Sequence, residues 1–291
     1  MKTRPLGAGA PAVAAVGFGG MPLSISGRPD EAQGVKVIHA ALDAGMTLID
    51  TADAYCLDDD DTGHNERLIA KALAAWSGDR DSILVATKGG ITRPGGRWER
   101  DGRPAYLRKA CERSLKALRV DRIDLYQFHA PDASVPFIDS VGAFAELQQE
   151  GKVRWVGLSN VSPAEIEVAR GIVEVASVQN RFNPFFHESP RDGAIKYCAD
   201  YGIGYLAYSP VGGGRLNKRL PGHPVLEPIA RAHNASPHAV VLAWALARSP
   251  NVIVIPGART VEHARDSAGA GELELSPEEL RAIDEGEFST D

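Results

Sequence analysis

Apolar and polar positions follow one another along this chain in two rhythms. Short runs nearly continuous in Val, Ile, Leu and Ala recur at Ala14–Gly17, Leu48–Asp50, Ile83–Thr87, Leu125–Phe128, Arg154–Gly157, Ser177–Gln179, Tyr205–Tyr208 and Val252–Ile255. Strands buried on both faces of a parallel sheet have this composition. Between them lie longer stretches whose apolar residues fall three and four apart, which predicts helices. Asp30–Ala44 sets Val35, Ile38 and Leu42 on one face, and Tyr106–Leu118, after Pro104, does the same with Leu107, Cys111, Leu115 and Leu118. Phe137–Gln149, Pro163–Val173, Arg191–Tyr201, His238–Arg248 and Val261–Ala268 follow, and a last helix opens at Ser276–Pro277 and carries Leu280 and Ile283. Ser162 with Glu165 three residues on spells a helix start.

Eight strand–helix alternations without a break in composition predict an α/β fold, a single (β/α)8 TIM barrel over residues 1–291. An open doubly wound sheet is the runner-up, since it shows the same alternation. No internal repeat, low-complexity linker or domain boundary interrupts the pattern.

The bulk numbers narrow the function classes. With 44% hydrophobic residues among 291, a large core is available. The net charge of −6 supplies no basic field for nucleic acid or an anionic membrane, so neither is expected as a partner. No apolar run approaches the roughly 18–20 residues that cross a bilayer. Glycines and prolines interrupt the alanine-rich segment near Met1, which therefore reads as mature protein and not as a signal peptide. Cys56, Cys111 and Cys198 form neither a framework nor a CxxC pair, as suits a reducing, cytoplasmic compartment. No metal is expected: the acidic run Asp58–Asp61 lacks the alternation and central glycine of a calcium loop, and no His/Cys set has zinc spacing.

Barrel enzymes work where strands end and the following loops begin. There the chain places Asp50, Thr51, Asp53 and Tyr55, then Lys88, then His129, then Ser159 and Asn160, then Gln179, and finally Tyr208 and Ser209. Taken singly, an Asp in such a place caps a helix, a Tyr rims a surface and a His bonds within a core. A lysine ending an apolar strand is harder to set aside, because burying an unpartnered ammonium is costly. Together, Asp50, Tyr55, Lys88 and His129 make a proton-donating set. The ammonium is expected to lower the tyrosine from its usual pKa near 10, the carboxylate to hold the ammonium, and the imidazole to orient a carbonyl oxygen. Such a set suits carbonyl reduction, whose hydride must come from a cofactor. No Rossmann fingerprint is present: Gly17–Pro22 breaks the pattern, and Gly202–Ala207 precedes a strand where the motif must follow one. Two other readings of the residues stay open. Lys88 could form a Schiff base, as in barrel lyases, or the chain could be a nucleotide-binding sensor or scaffold subunit with slow turnover.

The stretches LIDTADAY (48–55), HNERLIAKAL (64–73), LVATKGG (84–90), RIDLYQFHAPD (122–132), GKVRWVGLSN (151–160), VQNRFN (178–183), YLAYSPVGGG (205–214) and VIPGA (254–258) resemble the aldo-keto reductases, in order, from about Ala14 to Glu287. The resemblance implies a (β/α)8 barrel with a catalytic tetrad of Asp50, Tyr55, Lys88 and His129. It implies NADPH (NADP+) as cofactor, with NADH as a secondary option, and a small-molecule carbonyl substrate. Ser159, Asn160 and Gln179 would bind the nicotinamide carboxamide and Tyr208 would stack on its ring. The loop of Ser209, Pro210, Val211, Gly212, Gly214 and Leu216 would line the pyrophosphate. Gly257, Arg259, Arg265, Asp266 and Ser267 would hold the adenosine end, the arginines gripping any 2′-phosphate. Trp98, in the loop after Lys88, would give the substrate pocket an aromatic face. Cys56, Gly257, Asp266 and Ser267 depart from the residues common at their positions. The short stretch after the last helix predicts a pocket without a long C-terminal wall. A monomer or weak homo-oligomer is expected.

Overall fold

The computed structural model describes residues 1–186 and 193–291. Eight strands form one sheet: β1 (Phe18–Gly19), β2 (Leu48–Asp50), β3 (Leu84–Gly89), β4 (Ile123–Phe128), β5 (Val153–Ser159), β6 (Val175–Arg181), β7 (Gly204–Tyr208) and β8 (Val252–Val254). Each pairs in parallel with the next in chain order. The sheet has no free edge. Gly17 N–H donates to the Val254 carbonyl at 2.8 Å, Val254 N–H to the Ala15 carbonyl at 3.0 Å, and Gly19 N–H to the Pro256 carbonyl at 2.9 Å. This seam joins first strand to last and makes the sheet a (β/α)8 barrel, not an open doubly wound sheet.

The first strand lies later than the apolar run Ala14–Gly17 predicts. Val13–Ala14 pairs antiparallel with Thr3–Arg4 instead, and the chain joins the wall only from Val16, with the paired strand at Phe18–Gly19. The hairpin plugs the barrel. Leu6 and Val13 are buried with Leu48, Leu84, Ala86, Leu125, Ala176, Leu206 and Ile253 in one apolar cluster. A second, larger cluster lies between strands and helices and holds Ile49, Val85, Ile123, Tyr126, Phe128, Val156 and Tyr205. The two memberships alternate along β2, β3, β7 and β8 and from Leu125 and Trp155 onward in β4 and β5, as side chains on a pleated strand do. The alternation that puts Leu48, Leu84, Ala86, Leu125 and Leu206 inside the barrel also turns Asp50, Lys88, Gln127, His129 and Tyr208 toward the interior or its mouth.

Most helices follow the sequence pattern. Asp30 caps Glu31–Asp43 by accepting from Gln33 N–H, and Ser162–Glu165 and Ser276–Glu279 form reciprocal capping boxes. The expected helix Arg191–Tyr201 is Gly193–Asp200, and Arg191 itself lies outside the described residues. Pro163–Val173 ends early, at Arg170, with Gly171 as its cap. Among the described residues, three helices were not expected: His64–Ala75, which follows Gly63 with no side-chain cap, the short Gly213–Leu216, and Leu226–Ala232. A small hairpin, Ile91–Thr92 with Glu99–Arg100, rises from the loop after β3. Residues after the last helix fold back on the loop following β7, where Phe288 stacks on His223 with ring centroids 4.3 Å apart. Among the described residues, no helix is long and apolar enough to cross a membrane, and no group of three His, Cys, Asp or Glu could hold a metal ion.

Candidate active site

The mouth of the barrel is built around one buried lysine. Lys88, near the end of β3, is fully enclosed, and its Nζ donates to Asp50 Oδ1 at 2.5 Å, to the Thr51 carbonyl at 2.9 Å and to the Tyr55 hydroxyl oxygen at 2.9 Å. These three bonds use every proton of an ammonium. Asp50 is also saturated: its Oδ2 accepts from Gln127 Nε2 at 3.1 Å and from Gln179 Nε2 at 2.7 Å. The turn after β2 carries Tyr55 over the lysine. Tyr55 N–H donates to the Ala52 carbonyl, and Asp53 N–H to the Lys88 carbonyl. Thr51 donates to Asn65, whose amide in turn donates to the Gly20 carbonyl and to Ser24, which fastens the ends of β1 and β2 together.

His129 follows β4, its ring edge-on to Tyr55 with centroids 5.8 Å apart. It is buried, and its Nδ1 has no hydrogen-bond partner. Burial, and then the nearby Lys88 charge, hold its pKa well below the usual histidine range, so the imidazole is neutral. Tyr55 departs from the sequence expectation. Its pKa is not lowered; it is pushed well above 10, first by burial and then by the Asp50 carboxylate. Enclosure disfavours the phenolate, and Asp50 offsets the cation that was expected to favour it. Lys88 is itself pulled down by burial, with Asp50 opposing. The phenol is therefore protonated, and since its oxygen accepts from Lys88, its own proton is free to be donated.

On the far side of the mouth, Ser159 ends β5 buried, and Asn160 follows with φ +59°. Asn160 Nδ2 donates to the His129 carbonyl at 3.0 Å and to Ser159 Oγ at 3.1 Å, while Tyr208 donates to Asn160 Oδ1 at 2.8 Å. Ser209 has φ +48°, and Asn183 Nδ2 donates to its carbonyl. Pro210 is buried, Val211 and Gly212 are partly buried and Gly214 is exposed, with open space where a side chain would stand. Leu216 closes this loop with its side chain buried, leaving its backbone toward the loop. Gly257 has a packing reason. A Cβ there would come within 2.5 Å of Pro22 and 2.9 Å of the Gly19 carbonyl, across the barrel seam. Arg259 is exposed and donates to the carbonyls of Pro22 and Ser26. Arg265 is exposed on the following helix, Asp266 accepts from Ser236 at 2.6 Å, and Ser267 is partly buried. Trp98 is 48% exposed and sits edge-on to Tyr55 at 6.4 Å. Arg93 stacks on it at 3.9 Å and is anchored to the carbonyls of Cys56, Leu57 and Gly96.

Sequence reasoning missed Gln127 and Asn183. Gln127 was legible: it stands two residues before His129 in an apolar strand, and equal parity puts both on one face.

The model of the aldo/keto reductase family matches residues 15–287. The chain belongs to the aldo/keto reductase family. It is 34% identical to an aldo-keto reductase of the fungus Strobilurus tenacellus, over 93% of this chain and 88% of that one. A thermostable aldo-keto reductase solved with the inhibitor epalrestat superposes with a TM-score of 0.81 at 32% identity, covering 98% of this chain and 99% of the other. The aldo-keto reductase of Klebsiella pneumoniae solved with NADPH gives 0.80 at 27% identity, covering 98% and 95%. As a member of this family the chain is an NAD(P)H-dependent oxidoreductase of carbonyl compounds.

The mouth suits a nicotinamide nucleotide. The left-handed backbone at Asn160, Ser209, Gly212 and Gly213 and the open space at Gly214 make a cradle for close backbone approach. His129 Nδ1, buried beside the same mouth without a partner, is an orphaned polar atom of the kind that binding sites hold.

Proposed function

We propose that the protein reduces small aldehydes with NADPH, with Tyr55 as the general acid. The observation that carries this reading is the bond from Lys88 Nζ to the Tyr55 oxygen, which leaves the phenolic proton for the substrate. A bound nicotinamide would supply the hydride. Asn160, Ser159 and Gln179 would hold its carboxamide, Tyr208 its ring, Ser209–Gly214 the phosphates, and Arg259 and Arg265 a 2′-phosphate. Neutral His129 would orient the carbonyl oxygen toward Tyr55. As negative charge develops on that oxygen, Tyr55 would give up its proton, and the Lys88 ammonium would stabilise the resulting phenolate.

A Schiff base is disfavoured, because Lys88 would have to leave three acceptors and give up a proton beside Asp50 before its amine could attack a carbonyl. Trp98, propped by Arg93, would form an aromatic wall beside Tyr55 that suits small aldehydes over bulky ketones. The test is a panel of aldehydes, ketones and alcohols assayed with NADPH and NADH. Efficient turnover of a steroid ketone with negligible turnover of simple aldehydes would overturn the substrate class, and Schiff-base trapping on Lys88 would overturn the mechanism.

A further inference from the structure

Directly behind Lys88, on the outer face of β3, lies a second polar cluster that the chemistry above leaves unused. Asp53 and Glu66 are both fully buried. Thr87, the neighbour of Lys88, donates to Glu66 Oε1 at 2.5 Å, and Asp53 N–H donates to the Lys88 carbonyl at 3.4 Å. The Glu66 carboxylate and the Asp53 backbone thus hold β3 at Thr87 and Lys88. Asp53 Oδ1, Glu66 Oε2 and the buried Tyr126 hydroxyl make no well-formed hydrogen bond, although the Ser114 hydroxyl lies near enough to Glu66 to favour its ionised form. One cation reaches in: Arg113 Nη2 lies 3.4 Å from Asp53 Oδ2, its side chain about half exposed at the rim.

We propose that Asp53 and Glu66 are positioning residues for Lys88, sharing a single proton at neutral pH so that the one negative charge left on the pair supports the Lys88 ammonium from behind β3. The charge count supports this. With the pair fully ionised, Asp50, Asp53 and Glu66 would set three negative charges against Lys88 and Arg113, an excess that a dry interior disfavours; Arg67 is exposed and donates to the Thr62 and Asp61 carbonyls, so solvent screens its charge from the cluster. One shared proton brings the count to zero. Two carboxyls held close in a shared site ionise in separate steps for the same reason. Burial, and then Glu66, raise Asp53 to about 8. Burial raises Glu66 to about 7, against the Thr87 and Ser114 hydroxyls. Both acids in turn favour the charged form of Lys88. The other titratable groups facing the pair are Arg67 on the helix of Glu66, Tyr106 and Cys111 on the helix of Arg113, Tyr126 on β4 and Cys56 beside Tyr55. Burial raises both tyrosines and both thiols, so these four are neutral where the acids titrate.

Infrared difference titration of the cofactor-free protein tests the shared proton. Wild type should show the carbonyl stretch of a protonated carboxylic acid at neutral pH, bleaching as pH rises through about 7 to about 8. In Glu66→Gln the band should move down by about one unit, because Asp53 then faces Arg113 without a like charge. In Arg113→Met, altered at the half-exposed rim and so least disruptive to folding, it should move up. The positioning role, which rests on the proposed reductase chemistry, is read from the pH dependence of kcat. The alkaline limb should shift to lower pH in the double variant Asp53→Asn, Glu66→Gln while KM for NADPH holds, because no carboxylate is then left behind β3 to support the ammonium. Absence of the band in wild type from mildly acid to mildly alkaline pH overturns the shared proton. An unmoved limb in the folded double variant overturns the positioning role. The infrared arm needs no turnover, so a protein inactive toward carbonyls would sink the reductase reading and leave the shared proton to be decided by the band.

Discussion

At the scale of single residues, the site is governed by which groups hold protons. Tyr55 carries the proton proposed for transfer, and it contacts neither the carboxamide set nor the phosphate cradle. Tyr55→Phe should lower kcat by about 10²–10⁴-fold, the usual worth of a general acid, and leave the dissociation constant for NADPH close to that of wild type. Comparable losses in both would place Tyr55 in cofactor binding instead. Asp53 and Glu66 also link stability to pH. Their native pKa values of about 8 and about 7 lie above unfolded values near 4, so the folded state binds more protons than the unfolded one in between. Stability from these groups is full below about pH 4 and is lost as pH rises toward 8. Asp53→Asn removes one of them. The stability of wild type minus that of Asp53→Asn, from urea unfolding, should fall between about pH 5 and pH 8. A difference independent of pH would mean that Asp53 is ionised throughout.

At the scale of elements, the adenosine end of the site depends on the seam between β1 and β8. Gly257 lies against Pro22 and the Gly19 carbonyl, so Gly257→Ala should cost about 1–3 kcal/mol, the usual penalty for overpacking, seen as a lower denaturant midpoint. Arg259 braces the same loop from outside through Pro22 and Ser26. If it also grips the 2′-phosphate, Arg259→Ala should weaken NADPH much more than NADH. Equal losses would leave it only the bracing role. Much of this was legible in the sequence, because a strand that is apolar until its last residue leaves little choice about where Asp50, Lys88 and Gln179 must point. The helix His64–Ala75 shows helical spacing at Leu68, Ile69, Ala72 and Leu73, but its start is hidden. It starts without a side-chain cap, and its buried face opens with Asn65 and Glu66 where a periodicity search expects apolar residues. Those two polar positions are the ones that tie the helix to the site. The lowered tyrosine pKa failed for a related reason: the sequence names the charges but not the depth at which they lie.

At the scale of the whole molecule, the inner cluster links the N-terminal hairpin to the floor of the barrel. Leu6 is buried among strand residues far along the chain, on the axis that leads up to Asp50 and Lys88. Leu6→Ala should cost about 2–5 kcal/mol in urea unfolding, within the range for a large-to-small core change. A cost near zero would show that the plug adapts to the missing volume. Because the layers above stand on this floor, the same variant should lose kcat before it loses NADPH binding.

The alternation of inward and outward side chains on β3 behaves like a reading frame. One residue inserted between Leu84 and Lys88 would leave the strand as apolar as before, yet it would turn the ammonium outward, among the packed helices, and bring a threonine hydroxyl to the mouth. Two residues would restore the parity and change only the height. The chemistry of this barrel therefore depends on a phase as much as on a set of amino acids.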